Sequence, residues 1–327
     1  MKPPARQAPT TDFASAAMVR VLAQGMRELG LNPDAAMPRA ADQRATVSID
    51  EKRLLVRSAI EQGGWGCLAL LGRGLHGYAQ EPTHIALASA RDARDLFNRW
   101  ARLEQYIHSR HRIDLLSLAD GGARIAHRAR AGLPPPLLAE GLVVLGVLVA
   151  FLEAVGATQL TAWVGDVPVY PAPDPHALAR LAQQGSPVEW RMAWAPASAW
   201  RETPPMAAAP PPHLEPPQTW PVHAQQCFST LSKDLMAPLT LPALAEAQGE
   251  APRSLQRNLS RAGLSYTHVL SEARCRSASW WLLKSPAPIA EVGFVSGYAD
   301  QPHFTRDFRT RVGLTPLRFR TEFAATA

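Results

Sequence analysis

The chain has 327 residues, of which 46% are apolar, 7% aromatic and 19% charged. That length accommodates about two domains, and the apolar share excludes a chain disordered throughout. The 34 basic and 28 acidic residues leave a formal charge of +6, which allows an anionic partner without demanding one.

The amino terminus, beginning Met1-Lys2-Pro3-Pro4, carries no apolar run of the kind a secretory signal needs, so the expected location is the cytoplasm. Three scattered cysteines, Cys67, Cys227 and Cys275, match no zinc spacing and no disulfide framework, in keeping with a reducing compartment. Residues 14–29 have the spacing of an amphipathic helix, with Ala17, Val21, Leu22, Met26 and Leu29 inward and Gly30 ending it. Cys67, in Gly63-Gly-Trp-Gly-Cys67, is either a nucleophile with His76 or His84 as base, or a small buried apolar residue. The apolar Leu68–Leu71 run beside it favours the second reading.

Gly72-Arg-Gly-Leu-His-Gly77 satisfies the G-x-G-x-x-G spacing of a dinucleotide-binding turn, with Asp92 and Asp95 near the position of a ribose carboxylate. Pro82 follows too soon for these glycines to open a helix, and no βαβ pattern surrounds them, so the run reads as a flexible loop. Residues 90–109 place Ala93, Leu96, Phe97, Trp100, Leu103 and Ile107 on one helical face, and Arg91, Arg94, Asp95, Arg102 and Gln105 on the other. His108, Arg110, His111 and Arg112 read as a basic helix end, favourable in itself without a metal or anion.

Ile113–Ala119, Ala123–Arg128 and Gln159–Val164 read as strands, with Gly121-Gly122 as a hairpin turn. Leu137–Leu152 is apolar but is interrupted by Glu140 and is shorter than the roughly 20 residues that span a bilayer. It therefore reads as a core element, with no membrane partner implied. Trp163, Trp190, Trp194 and Trp200 are either core or the lining of a ligand pocket. This half, about residues 12–200, is expected to be α+β.

From Thr203 to Pro221 the chain holds eight prolines in nineteen residues, too many for helix or central strand. Residues 201–222 are thus expected to be an extended linker. Beyond it, residues 223–321 are helical in pattern and repeat themselves. Ala245-x-x-x-Gly249 is followed by Leu255, Leu259 and Gly263-Leu-Ser265; Gly293-x-x-x-Gly297 is followed by Phe304, Phe308 and Gly313-Leu-Thr315. Each copy reads as helix, tight turn, helix. Leu241, Leu244 and Ala245 line the first core, with Pro252 opening a second helix; Ile289 and Val292 line the second core, with Asp300 as N-cap. Ser271–Lys284, free of proline and glycine, reads as a connecting helix. Such helix-turn-helix geometry presents the first turns of a helix to a DNA major groove, where arginine pairs with guanine and glutamine with adenine.

Residues 230–321 resemble the DNA-binding region of AraC/XylS-family transcriptional regulators. The run from Ile289 to Phe308 carries the resemblance, with Gly313-Leu-Thr-Pro316, Phe319-Arg320 and Ala251-Pro-Arg-Ser-Leu-Gln-Arg257. The sequence departs from that family at Gly293, where alanine is usual, at Pro302, often serine, and at the bulky Trp280-Trp281 pair. The resemblance implies two helix-turn-helix motifs, with Arg253, Gln256 and Arg257 of the first and Gln301, Pro302, Thr305 and Arg306 of the second at base- or phosphate-contacting positions. His303 either joins them or merely flanks Phe304. Residues 14–200, through Val21-Leu-Ala-Gln-Gly-Met-Arg-Glu-Leu-Gly-Leu-Asn-Pro33 and the helix after Ala90, resemble the arabinose-binding-domain type that precedes such heads. That implies a small-molecule effector, a homodimer, double-stranded DNA and RNA polymerase as partners, with no cofactor, metal or catalytic residue. Two other classes remain: a regulator fused to an enzyme centred on Cys67 or the glycine run, and a constitutive DNA binder.

Overall fold

The computed structural model describes residues 13–38, 46–78, 81–106, 110–185, 187–196, 200 and 214–324. The amino-terminal half contains β1 (Phe13–Ser15), α1 (Ala16–Glu28), β2 (Thr46–Ser48), α2 (Ile49–Gly63), a 3₁₀ helix (Trp65–Tyr78), α3 (Pro82–Ala88) and α4 (Ala93–Tyr106). It continues with β3 (His111–Ala119), β4 (Gly122–Ala129), α5 (Leu138–Val155), β5 (Thr161–Val164), β6 (Val167–Tyr170), α6 (Pro175–Gln184) and β7 (Glu189–Ala193). The remainder is helical: α7 (Val222–Leu231), α8 (Leu241–Ala247), α9 (Pro252–Arg261), α10 (Tyr266–Lys284), α11 (Ile289–Val295), α12 (Gln301–Val312) and α13 (Pro316–Phe323). The order is that of an α+β half followed by a helical one.

The described residues fall into two compact units. One draws on Met1–Gly77, Pro136–Ala150 and Thr161–Pro187, the other on Tyr78–Pro135, Phe151–Leu160 and Val188–Ala327. The division runs through the amino-terminal half, so that α3, α4 and strands β3, β4 and β7 share a unit with α7–α13. Of the proline-rich stretch, residues 201–213 lie outside the described residues, and Leu214–Pro221 contain neither helix nor strand.

In the first unit, β1 and β2 pair antiparallel, and α2 starts with a reciprocal cap in which Glu51 N donates to Ser48 Oγ and Ser48 N to Glu51 Oε2. The glycine run is not the expected loop. It is the second half of the 3₁₀ helix, and its glycines serve close packing. A Cβ on Gly72 would stand 2.0 Å from Gly146 O in α5, and one on Gly25 in α1 would stand 2.1 Å from Leu71 O. This is also why α1 buries a wider arc than the predicted stripe: Ala16, Val19, Ala23 and Gly25 are buried, whereas Ala17 and Leu29 are only half so. Helix α5 is long and apolar enough to cross a membrane, but 78% of it is buried. Glu140, which interrupts its apolar run, takes an ion pair from Arg53 at 2.9 Å and accepts from Leu137 N at 3.1 Å. Strands β5 and β6 form an antiparallel hairpin.

In the second unit, β3, β4 and β7 form an antiparallel array with β4 in the middle. Ala119 pairs with Gly122, so the hairpin turn is Asp120-Gly121, one residue earlier than expected. His111 opens β3 instead of ending a helix; its ring meets His127 edge-on at 5.3 Å, and Ile107 and His108 lie outside the described residues. Trp190 and Trp194 are buried core residues, with Trp194 Nε1 donating to Asp120 O at 2.8 Å, while Trp163 and Trp200 are half-buried. Helix α4 buries Ala93, Leu96, Phe97, Trp100 and Leu103 as its spacing predicts. Asp95, expected outside, is buried as well, because Arg99 turns inward and holds it with two hydrogen bonds of 3.2 and 3.0 Å.

Candidate nucleic-acid interface

The helix pair α8–α9 closes over one apolar cluster containing Phe228, Leu231, Leu244, Ala245, Leu255, Leu259 and Val269. Leucines four apart on α9 (Leu255, Leu259) point inward, and that fixes which residues point out. Arg253, Gln256 and Arg257 are all exposed, the two arginines on the side opposite the leucines and Gln256 at the edge of the buried stripe. Helix α10 runs the full Tyr266–Lys284, five residues longer at its start than expected, because Ser265 caps it by accepting from His268 N at 3.1 Å. Both helix pairs lie against it.

The second pair is closed by aromatic packing. Tyr298 and Phe304 rings are 4.9 Å apart, Phe304 and Phe308 5.6 Å, and Phe308 and Phe319 of α13 5.4 Å. Phe304 and Phe308 are fully buried. Asp300 caps α12 as predicted, its Oδ1 accepting from His303 N at 2.7 Å. Arg306 and Pro302 are exposed, but Gln301, His303 and Thr305, expected outside, are half-buried. The His303 ring sits edge-on to Tyr298 at 5.4 Å.

The two turns share one hydrogen-bond pattern. Gly249 N donates to Glu246 O and Glu250 N to Ala245 O; Gly297 N donates to Phe294 O and Tyr298 N to Gly293 O. Both glycines take a positive φ, +70° and +80°, which places the chain in the left-handed region glycine favours. The repeat seen in the sequence is therefore a repeat of backbone geometry.

Charge separates the outer face from the frame. Arg311 pairs with Asp307 and Glu272, Arg276 pairs with Glu272, and Tyr298 Oη donates to Asp307 at 3.1 Å, tying α12 to α10. Burial, chiefly, raises the Tyr298 phenol far above its ordinary value. Among the described residues, by contrast, no carboxylate pairs with Arg253, Arg257 or Arg306. An open depression is lined by Gln301, Pro302, Thr305 and Arg306 together with Arg309 and Thr310. The last two were not singled out from the sequence; their placement three and four residues after Arg306 on a helix is the signal that would have found them.

Cys67 lies in the other unit. Its Sγ donates to Ala59 O at 3.3 Å and burial pushes the thiol up to about 11, so it is protonated and enclosed at neutral pH. Cys227 and Cys275 are buried too. Among the described residues no group of three or more His, Cys, Asp or Glu is placed to hold a metal.

Residues 244–322 match a family model described as a helix-turn-helix domain. The carboxy-terminal region of this chain is a helix-turn-helix domain of the AraC type. Over 89 residues the chain is 35% identical to the ornithine utilization regulator of Pseudomonas aeruginosa, covering 26% of each chain. Over 88 residues it is 32% identical to the transcriptional activator NphR of a Rhodococcus species, covering 27% of this chain and 26% of that one. The match thus spans about a quarter of the length of these curated relatives. The crystal structure of the transcriptional regulator CdpR from Pseudomonas aeruginosa aligns over 92% of this chain and 97% of its own, at 17% identity and a TM-score of 0.33.

Proposed function

We propose that the chain is a sequence-specific regulator of transcription that reads double-stranded DNA with two helix-turn-helix units. Helices α9 and α12 are the reading helices, one in each of two successive major grooves. Arg253, Gln256 and Arg257 act from the first, and Gln301, Pro302, His303, Thr305 and Arg306 from the second. The observation that carries this reading is the exposed, unneutralised arginine and glutamine face of α9, set by two fully buried leucines. Arginine forks fit guanine or phosphate, glutamine fits adenine, and Pro302, lacking an N–H, contributes shape only. The similarity to proteins named as a utilization regulator and a transcriptional activator supports regulation as the role.

In this reading, residues 12–200 form an effector-binding and dimerising domain, residues 201–222 the linker and residues 223–321 the DNA-binding domain. The protein works in the cytoplasm as a homodimer, and its occupancy of a promoter, with or without contact to RNA polymerase, changes when a small molecule binds. Selection of DNA from a random-sequence pool by the full chain tests it. The expected result is a bipartite site whose two contacts lie about 34 Å apart, one helical turn. Enrichment of no sequence overturns it.

A further inference from the structure

We propose that Arg102, in α4 and outside the helix-turn-helix region, is a positioning residue for DNA reading: its guanidinium holds the approaches to α9 and α12 in one fixed geometry. Its Nη1 donates to Met236 O at 2.7 Å and its Nη2 to Tyr298 O at 2.9 Å. Met236 lies in the segment between α7 and α8, which leads into the first helix pair. Tyr298 follows Gly297 in the turn of the second. These two segments also touch each other, since a Cβ on Gly297 would stand 2.0 Å from Leu235 O. One planar fork thus spans a junction where both helix pairs meet.

Neighbouring contacts hold α3 and α4 to the same junction. Arg99 pairs with Asp234 at 2.6 Å, and Asp234 Oδ1 in turn accepts from Met236 N at 3.0 Å and Ala237 N at 3.2 Å. Thr83 Oγ1 of α3 donates to Glu291 Oε2 of α11 at 2.9 Å. Met236 and Tyr298 are buried, so a carbonyl that loses its charged donor there is not readily served by bulk water. Arginine meets the requirement through its rigid planar fork, whereas the point charge of lysine reaches one carbonyl at a time. The distance between the reading helices is therefore set twice, by α10 and by α4.

The inference rests on the proposal that α9 and α12 read DNA. Its test uses the full chain and the site that chain selects, with a second version of the site carrying one inserted base pair between the two contacts. The unmodified chain is expected to bind the inserted site about tenfold more weakly or worse. Arg102→Ala and Arg102→Lys are expected to bind the selected site about tenfold more weakly and to lose a measurable part of the penalty for the insertion, the share that α10 does not carry. An insertion penalty equal to that of the unmodified chain overturns the proposal even where affinity falls, because a merely structural role lowers affinity without relaxing spacing. If Arg102→Ala fails to fold, seen as a lost melting transition, Arg102→Lys decides the matter. If the unmodified chain selects no bipartite site, the DNA-reading proposal fails first and this inference falls with it.

Discussion

Asp234 Oδ2 lies 2.6 Å from Arg99 Nη2, joining positions 135 residues apart in the sequence. Arg99 is 1% exposed and is shared with Asp95, so its buried charge is compensated by two carboxylates, Asp95 at 9% exposure and Asp234 at 34%. Burial pushes the Asp95 carboxyl up, but hydrogen bonds and charge from Arg99 outweigh it and hold the group below the ordinary range. Its contribution is therefore present at neutral pH and is lost as pH falls through the depressed value. The exposed pair Arg124–Glu189 has the same 2.6 Å separation. Burial, not distance, should separate the two: Asp234→Asn is expected to cost about 1–3 kcal/mol, and Glu189→Gln under about 1 kcal/mol. Denaturant midpoints of the two variants make the comparison; equal losses would remove the argument.

The matching turn glycines offer a sharper contrast. Both have positive φ, but a Cβ on Gly249 meets nothing within 4 Å, while one on Gly297 meets the Leu235 carbonyl. Gly249→Ala should cost about 1–2 kcal/mol, the strain of the left-handed conformation alone. Gly297→Ala should cost roughly 3 kcal/mol or more, because backbone must move. Thermal melts of both variants read this out, and an equal shift would contradict the close approach of the two segments.

Glu104 joins α4 to β3. Its carboxylate accepts from Trp100 Nε1 at 2.8 Å and from Ile113 N at 3.1 Å, yet burial wins and raises it to about 7 from an ordinary 4.5. The folded chain then keeps a proton that the unfolded chain releases, so stability falls as pH rises from 4.5 to about 7 and levels off above. The swing from this group is at most about 3 kcal/mol. Glu104→Gln should flatten that slope and leave the variant relatively more stable at about pH 8 than at about pH 5, measured by urea unfolding. A parallel slope in parent and variant would assign the pH dependence elsewhere.

The Cys67 thiol, raised to about 11 and bonded to Ala59 O, should react slowly with a disulfide reagent at neutral pH and quickly only after unfolding. Rapid labelling of folded protein at Cys67, located by mass spectrometry, would revive it as a nucleophile.

Periodicity made α4 legible through Leu96, Phe97, Trp100 and Leu103, and it made the α9 face legible through Leu255 and Leu259. It carried no trace of Arg99–Asp234, since an ion pair across 135 positions leaves no local pattern. The packing role of the Gly72–Gly77 run is illegible in the sequence for a related reason. Gly72 and Gly74 are explained by the backbone of α5 and α1 pressing on them, and a lone sequence shows the missing side chain but not the neighbour that requires it. On α12 the buried phenylalanines were plain. The half-burial of Gln301, His303 and Thr305 was not, because it depends on tertiary neighbours such as the Tyr298 ring that stands against His303.

The most direct test of DNA reading is the affinity of the full chain for its selected site against a scrambled one, across a salt series, with Arg257→Ala and Arg306→Ala alongside. The account predicts steep weakening with salt on both DNAs. It also predicts a preference for the selected site that drops by about tenfold or more in each variant, the equivalent of one lost base contact. Variants that keep the full preference, or a parent that binds both DNAs equally, would contradict it.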